Sequence, residues 1–197
     1  HEKFINKTAT KQKASHTAEI SWRVDDGTVF ATEHRTLEFS FIKEGSLQID
    51  FQSNLSTNQK KVQLDGDAQH AGFQFRASNE VAAKTSKETY YIRPNEGIDA
   101  KGKTKNWPQD KEMTNLLWEA QSVVVGGDRY TTLYLNHPGN PKPSFHSERD
   151  YGRFGSYFKA EITPSNPLVV HYRLHIIQGE MSPKECEELS QAFIKSH

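Results

Sequence analysis

Val170-His171-Tyr172-Arg173-Leu174-His175-Ile176 alternates apolar and polar side chains without a break. A strand turns successive side chains to opposite faces, so Val170, Tyr172, Leu174 and Ile176 face a core while the two histidines and Arg173 face away from it. The same period recurs upstream. Ile20, Trp22 and Val24 share one face, and Leu37, Phe39 and Phe41 another; Leu47, Ile49 and Phe51 alternate with Gln48, Asp50 and Gln52; Phe73 and Phe75 alternate with Gln74 and Arg76. Two longer runs, Leu116 to Val125 and Arg129 to His137, flank Gly126-Gly127-Asp128, a tight-turn sequence that predicts a hairpin. Asp25-Asp26-Gly27 and Lys43-Glu44-Gly45 punctuate further strand pairs. Strand after strand, with short turns and no interleaved helix, predicts an all-β fold: an antiparallel β-sandwich, jelly-roll or supersandwich-like.

One helix closes the chain. Ser182-Pro183-Lys184-Glu185 reads as a capping box with proline at the first helical position, and Cys186, Leu189 and Phe193 then line one stripe. Residues 182–196 are expected to dock on a single sandwich domain spanning 1–197. Between Asn79 and Asp110 the pattern is weak, with one short strand expected at Tyr90 to Arg93 inside long loops. The lone cysteine, Cys186, rules out an internal disulfide and reads as a small buried apolar residue. Lys plus Arg and Asp plus Glu are equal at 25 each, so no net field draws the chain to nucleic acid. No apolar run approaches the roughly 20 residues that cross a bilayer. Neither nucleic acid nor membrane is therefore an expected partner, and oligomeric state is not indicated.

The densest group of chemically capable residues runs from Asn136-His137-Pro138-Gly139-Asn140-Pro141 to Phe145-His146-Ser147-Glu148-Arg149-Asp150-Tyr151-Gly152. It reads as a strand end followed by a rigid loop, where catalytic and binding groups concentrate. A second cluster, Asp65-Gly66-Asp67-Ala68-Gln69-His70, precedes the strand that carries Gln74 and Arg76 on its polar side. His137, His146, Arg149, Tyr151 and His70 are the candidate catalytic groups; Arg76, Gln74, Trp107, Asn140 and Glu148 are the candidate substrate contacts. The bland alternatives are a structured crossover with Arg149-Asp150 as a local ion pair, and a simple turn at Asp65 and Asp67. Glu33 and Arg35, inward by parity, predict a buried pair or a pocket lining. No spacing matches a zinc or calcium signature. No cofactor is expected beyond a divalent metal held by His70, His137 and His146, should they converge. The functional reading requires the Asn136–Gly152 segment and the Arg76 strand to meet in one hollow between sheets.

The string His137-Pro138, Asn140-Pro141, Phe145-His146 and Arg149-Asp150-Tyr151-Gly152 resembles the hallmark of the PmoA-like family of bacterial proteins. Arg35-Thr36-Leu37, Gly66-Asp67 with Gly72-Phe73 and Arg76, Asn95-Glu96-Gly97 and the Leu174-to-Gly179 ending add to it. The chain looks like the C-terminal two-thirds of such a protein. It departs from the usual pattern at Phe145, where tryptophan is usual, at Asn136, where aspartate is usual, and near Lys142-Pro143, where a histidine is expected. The catalogue name, methane oxygenase, is not to be read literally for a chain without transmembrane helices. The resemblance implies a part in bacterial sugar and polysaccharide catabolism. On it rests the leading expectation, an enzyme acting on an oligosaccharide or sugar acid by elimination, dehydration or hydrolysis. A periplasmic or secreted place suits that role somewhat better than a cytoplasmic one. The alternatives are a non-catalytic carbohydrate-binding sandwich, with Trp107 and Tyr90-Tyr91 as stacking platforms, and a His-ligated metal oxidoreductase.

Overall fold

The computed structural model describes residues 1–196. In chain order the strands are β1 (Lys3–Ala9), β2 (Lys13–Arg23), β3 (Val29–Lys43), β4 (Ser46–Ser56), β5 (Val62–Leu64), β6 (Phe73–Arg76), β7 (Tyr90–Arg93), β8 (Gly97–Ile98), β9 (Trp118–Val125), β10 (Asp128–Asn136), β11 (Ser144–Arg149), β12 (Arg153–Phe158), β13 (Ala160–Ile162) and β14 (Leu168–Gln178); helix α1 is Pro183–Lys195. The large sheet runs β1-β2-β3-β4-β14-β10-β9-β7-β8, and two smaller sheets, β11-β12-β6 and β13-β5, complete the β structure. Every strand pair is antiparallel. The expected all-β sandwich with one C-terminal helix is what forms.

Along β7, β9, β10 and β14 the large sheet is covered on both faces, and alternation sorts its residues between them. Leu133 and Leu135 of β10, Trp118 and Ala120 of β9 and Tyr90 and Ile92 of β7 pack with Cys186 and Phe193 of α1. Their neighbours Tyr134 and Tyr91 point the other way, with Val170, Tyr172 and Leu174 of β14, into a core shared with Phe154, Phe73 and Phe75 of the three-stranded sheet. Phe73 stacks on Tyr172 at 4.4 Å and meets Phe51 at 4.5 Å, which locks the layers together. Each such aromatic or aliphatic side chain, fully buried, contributes about 1.5–3 kcal/mol. A third cluster, Ala31, Leu55 and Ile162, seats the β13-β5 pair.

Local signals account for the boundaries. The β9-β10 hairpin turns at Gly126 and Gly127, both at positive φ (61° and 86°), as a two-residue primed turn demands. Ser182 accepts from the Glu185 amide, and Glu185 in turn accepts from the Ser182 amide, so the capping box closes α1. Burial pushes the Cys186 thiol up to about 12, consistent with its packing role. No helix among the described residues is long and apolar enough to cross a membrane.

Two glycines, Gly72 and Gly155, fix how β6 lies against β12. A Cβ added to Gly155 would come within 2.2 Å of the Phe73 carbonyl oxygen, and Gly155 sits at φ +154°. Gly155→Ala is therefore expected to push β6 off β12 and cost about 1–3 kcal/mol, as overpacking does. An unchanged urea midpoint would show that the strands can yield at that point.

Candidate functional site

The three-stranded sheet places the candidate residues by register. Arg149 of β11 lies opposite Arg153 of β12, which lies opposite Arg76 of β6. The next row on the same outward face is Ser147, Gly155 and Gln74, and beyond it Phe145 faces Tyr157. Three arginines thus occupy one row of the sheet, with their backbones at the strand spacing of about 4.8 Å. None of the three is in an ion pair with a carboxylate among the described residues. Arg149 donates instead to the Asn106 and Gln69 side-chain oxygens and to the Glu148 carbonyl. Arg153 donates to the Gln69 carbonyl and, at 3.2 Å, to the Tyr151 hydroxyl. Arg76 lies over the Tyr151 ring, 5.3 Å from its centroid. Like charges side by side on a sheet repel. Neutral oxygens hold Arg149 and Arg153, and the Tyr151 ring holds Arg76, without cancelling their charge.

Two loops frame the row. From the first, the exposed His70 meets the Asp67 carboxylate through Nδ1 at 2.8 Å, and this bond holds the Asp67 carboxyl below its ordinary value. That contact orients the ring and leaves Nε2 as the proton-accepting edge. From the second, Trp107 stacks on Phe145 at 4.0 Å with 27° between the rings. Arg153 Nη2, Ser147 Oγ and Gln74 Oε1 are enclosed yet have no hydrogen-bond partner among the described residues. An enclosed polar atom left unmatched costs about 1–3 kcal/mol.

The inward face of β11 is different in kind. His146 and Glu148 are both fully buried. Arg93 of β7 grips Glu148 with Nε on Oε1 at 2.7 Å and Nη2 on Oε2 at 2.6 Å, and its Nη1 reaches Asp99 at 2.9 Å and Glu96 at 3.2 Å. Burial, reinforced by the nearby Glu119 charge, pushes the Glu148 carboxyl up to about 7 against the pull of Arg93. His146 Nδ1 pairs with Glu119 Oε1 at 2.8 Å, while His146 Nε2 and Glu119 Oε2 have no hydrogen-bond partner.

The model of one protein family covers residues 1–191. The chain belongs to the family of unknown function DUF6807. That description carries no activity, and comparison with curated proteins gives no match.

In this DUF6807 chain the expected residues divide three ways. Arg149, Tyr151, Arg76, Gln74, Trp107 and, on the neighbouring loop, His70 gather around the outer face of the small sheet. They do not meet in a hollow between sheets, because Arg149 and Arg76 have outward parity. His146 and Glu148, expected to touch substrate, are instead buried partners of Glu119 and Arg93; the same parity turns them inward. His137 and Asn140 lie on the other side of the large sheet. The His137 ring is 5.7 Å from His171 and from Phe193 of α1, and Asn140 clamps the loop to β14 through the His171 backbone at 2.7 and 2.8 Å. His70, His137 and His146 therefore occupy three separate places and cannot share an ion. Among the described residues no cluster of three or more His, Cys, Asp or Glu could hold a metal. Tyr90 and Tyr91 are core residues, 4% and 0% exposed, and not stacking platforms.

Six residues of the expected Asn136–Gly152 loop form strand β11, and this hid Arg153, Ser147, Gln69 and Asn106 from a reading by residue type. A signal was present. Arg149-Asp150-Tyr151-Gly152-Arg153 is a turn sequence with Gly152 at φ +89°, which folds one arginine opposite the other.

Proposed function

We propose that the outer face of β6-β12-β11 binds an acidic sugar or acidic oligosaccharide and that the protein acts on it by elimination, dehydration or hydrolysis. The observation that carries this reading is the row Arg149-Arg153-Arg76, three cations abreast with no carboxylate of their own. Guanidinium is the group best shaped for a planar carboxylate. The Trp107–Phe145 stack suits the apolar face of a sugar ring. The PmoA-like resemblance, with its link to polysaccharide catabolism, supports the same class.

In an elimination the arginine row offsets the charge that grows on the carboxylate as the neighbouring proton leaves. His70, held by Asp67, accepts that proton; the freed electron pair forms the carbon–carbon double bond, the bond to the β-oxygen breaks, and the Tyr151 phenol protonates the departing oxygen. Incubation with acidic and neutral oligosaccharides, read by intact mass, separates the outcomes. Loss of one water marks dehydration, gain of one marks hydrolysis, and cleavage without water marks elimination. Arg153→Gln is expected to weaken an acidic ligand about 30-fold, on the order of 2 kcal/mol, and to leave a neutral one unchanged. His70→Ala should stop turnover and leave binding in place. Turnover intact in both Arg149→Ala and His70→Ala would sink the enzymatic reading. The surface stack of Trp107 on Phe145 favours a second reading, non-catalytic carbohydrate binding, which predicts saturable binding without product.

A further inference from the structure

The three-stranded sheet covers only part of the large sheet's inner face, and β13-β5 covers another part. Between them a cavity of about 550 Å³ opens over β2, β3, β4 and β14. Sites for small organic ligands span about 300–1,000 Å³ and are mostly apolar with a few placed polar groups. This one has walls from both layers, Phe30, Phe51, Leu168 and Val170 from the large sheet and Leu64 and Phe73 from the smaller ones. Its polar feature is the pair Glu33 and Arg35.

Glu33 is 3% exposed and its two oxygens are saturated: Oε1 accepts from Arg35 Nε and Ser53 Oγ, both at 2.8 Å, and Oε2 from Arg35 Nη2 at 2.8 Å and Trp22 Nε1 at 2.9 Å. Although burial works against its charge, those donors hold the Glu33 carboxyl below its ordinary value. Glu33 therefore fixes Arg35 and has no acceptor capacity left for a ligand. Arg35 is used on one edge only. Its Nη1 has no partner among the described residues, and its guanidinium carbon stands 5.7 Å from the Phe51 ring centroid.

The same protein shows what that second edge can do. Arg93 grips Glu148 with Nε and Nη2, as Arg35 grips Glu33, and Arg93 Nη1 then takes two further carboxylates, Asp99 and Glu96. The other carboxylate on the cavity wall, Asp65, is matched by Lys159 at 2.7 Å, so its charge is already offset.

We propose that this cavity is a second binding site, separate from the arginine row, for a small molecule with an apolar or aromatic body and one carboxylate or sulfonate seated on the Nη1 edge of Arg35. The apolar body supplies most of the affinity, and Arg35 selects the acid over its neutral analogue.

Fluorescence titration of the whole chain with 1-anilinonaphthalene-8-sulfonate and with the neutral N-phenyl-1-naphthylamine tests this. One-to-one saturable binding of both is expected, with displacement by 4-phenylbutyrate. The double variant Glu33→Gln/Arg35→Gln keeps a hydrogen-bonded neutral pair and avoids a stranded buried charge. It should weaken the sulfonate about tenfold and leave the neutral probe as it was, with an unchanged near-ultraviolet circular dichroism spectrum as the check on folding. Val170→Phe, which fills the floor, should weaken both probes. Absence of saturable one-to-one binding, equal losses for the two probes in the double variant, or binding indifferent to Val170→Phe would each overturn the assignment. None of these variants touches the outer face of β6-β12-β11, so failure here leaves the sugar-acid reading standing.

Discussion

Arg93→Ala is expected to cost about 3–5 kcal/mol of folding stability, the range for removing one partner of a buried ion pair. The Arg93 side chain is 2% exposed and that of Glu148 is 0%, so neither charge can turn to water when the other is lost. Truncation strands Glu148 close to a second buried carboxylate, Glu119, and also frees Asp99 and Glu96. Those last two are partly exposed and lose little. The loss thus falls on the Arg93–Glu148 contact between β7 of the large sheet and β11 of the small one, which should make the two layers separate more easily. Equilibrium urea unfolding measures it. The double replacement Arg93→Met/Glu148→Leu should recover much of the loss, because an apolar pair of similar volume has no charge left to desolvate. A single variant as stable as the parent, or a double variant worse than the single, would contradict this account.

Period-two alternation is enough to read the central strands of the large sheet, because each has at least one apolar face that must be buried, whereas Trp22, Val24 and Phe41 towards its edge stay exposed. Val170, Tyr172 and Leu174 declare β14 in this way, and the Gly126-Gly127 turn declares the β9-β10 hairpin. The same rule fails on β11. Its inward residues, Ser144, His146 and Glu148, are polar, and they are buried only because Glu119 and Arg93 arrive from strands far away in sequence. A buried charge is indistinguishable from a solvated one until its partner is located, so a strand was read as a loop and its two faces were merged into one site. Arg76 and Gln74 share a face by parity, and the pairing of β12 with β6 and β11 brings Arg149 to that face. Arg153 escaped because its meaning comes from the pairing of β12 with both other strands. Glu33 and Arg35 show the converse: inward parity of two opposite charges on one strand was sufficient to read both the pair and the pocket it lines.

The Glu148 carboxyl gives the second large effect, a stability that falls as the solution becomes more alkaline. Its folded value is raised by burial to about 7 from an ordinary 4.5. A carboxyl raised in this way is protonated in the folded state while ionised in the unfolded one between those two values, so the folded state binds the extra proton there. Stability from this group is therefore lost as pH climbs from about 4.5 to about 7, and the full penalty, on the order of 3 kcal/mol, is present above that window. Glu33 and Asp99 act in the opposite sense, since their carboxyls are held low and lose their stabilising contribution only in more acidic solution. Glu148→Gln isolates the effect from other titrating groups: glutamine keeps the shape and an acceptor for the Lys105 amide, which sits 2.8 Å from Oε2, and removes the charge. The stability of the glutamine variant minus that of the parent, from urea unfolding at pH 5, 6, 7 and 8, should rise by on the order of 3 kcal/mol across the series. A difference that stays flat would mean that Arg93 holds Glu148 ionised throughout. In either case the Arg93→Ala loss should be smaller at pH 5 than at pH 8, because the stranded Glu148 carboxylate can take up a proton in acid.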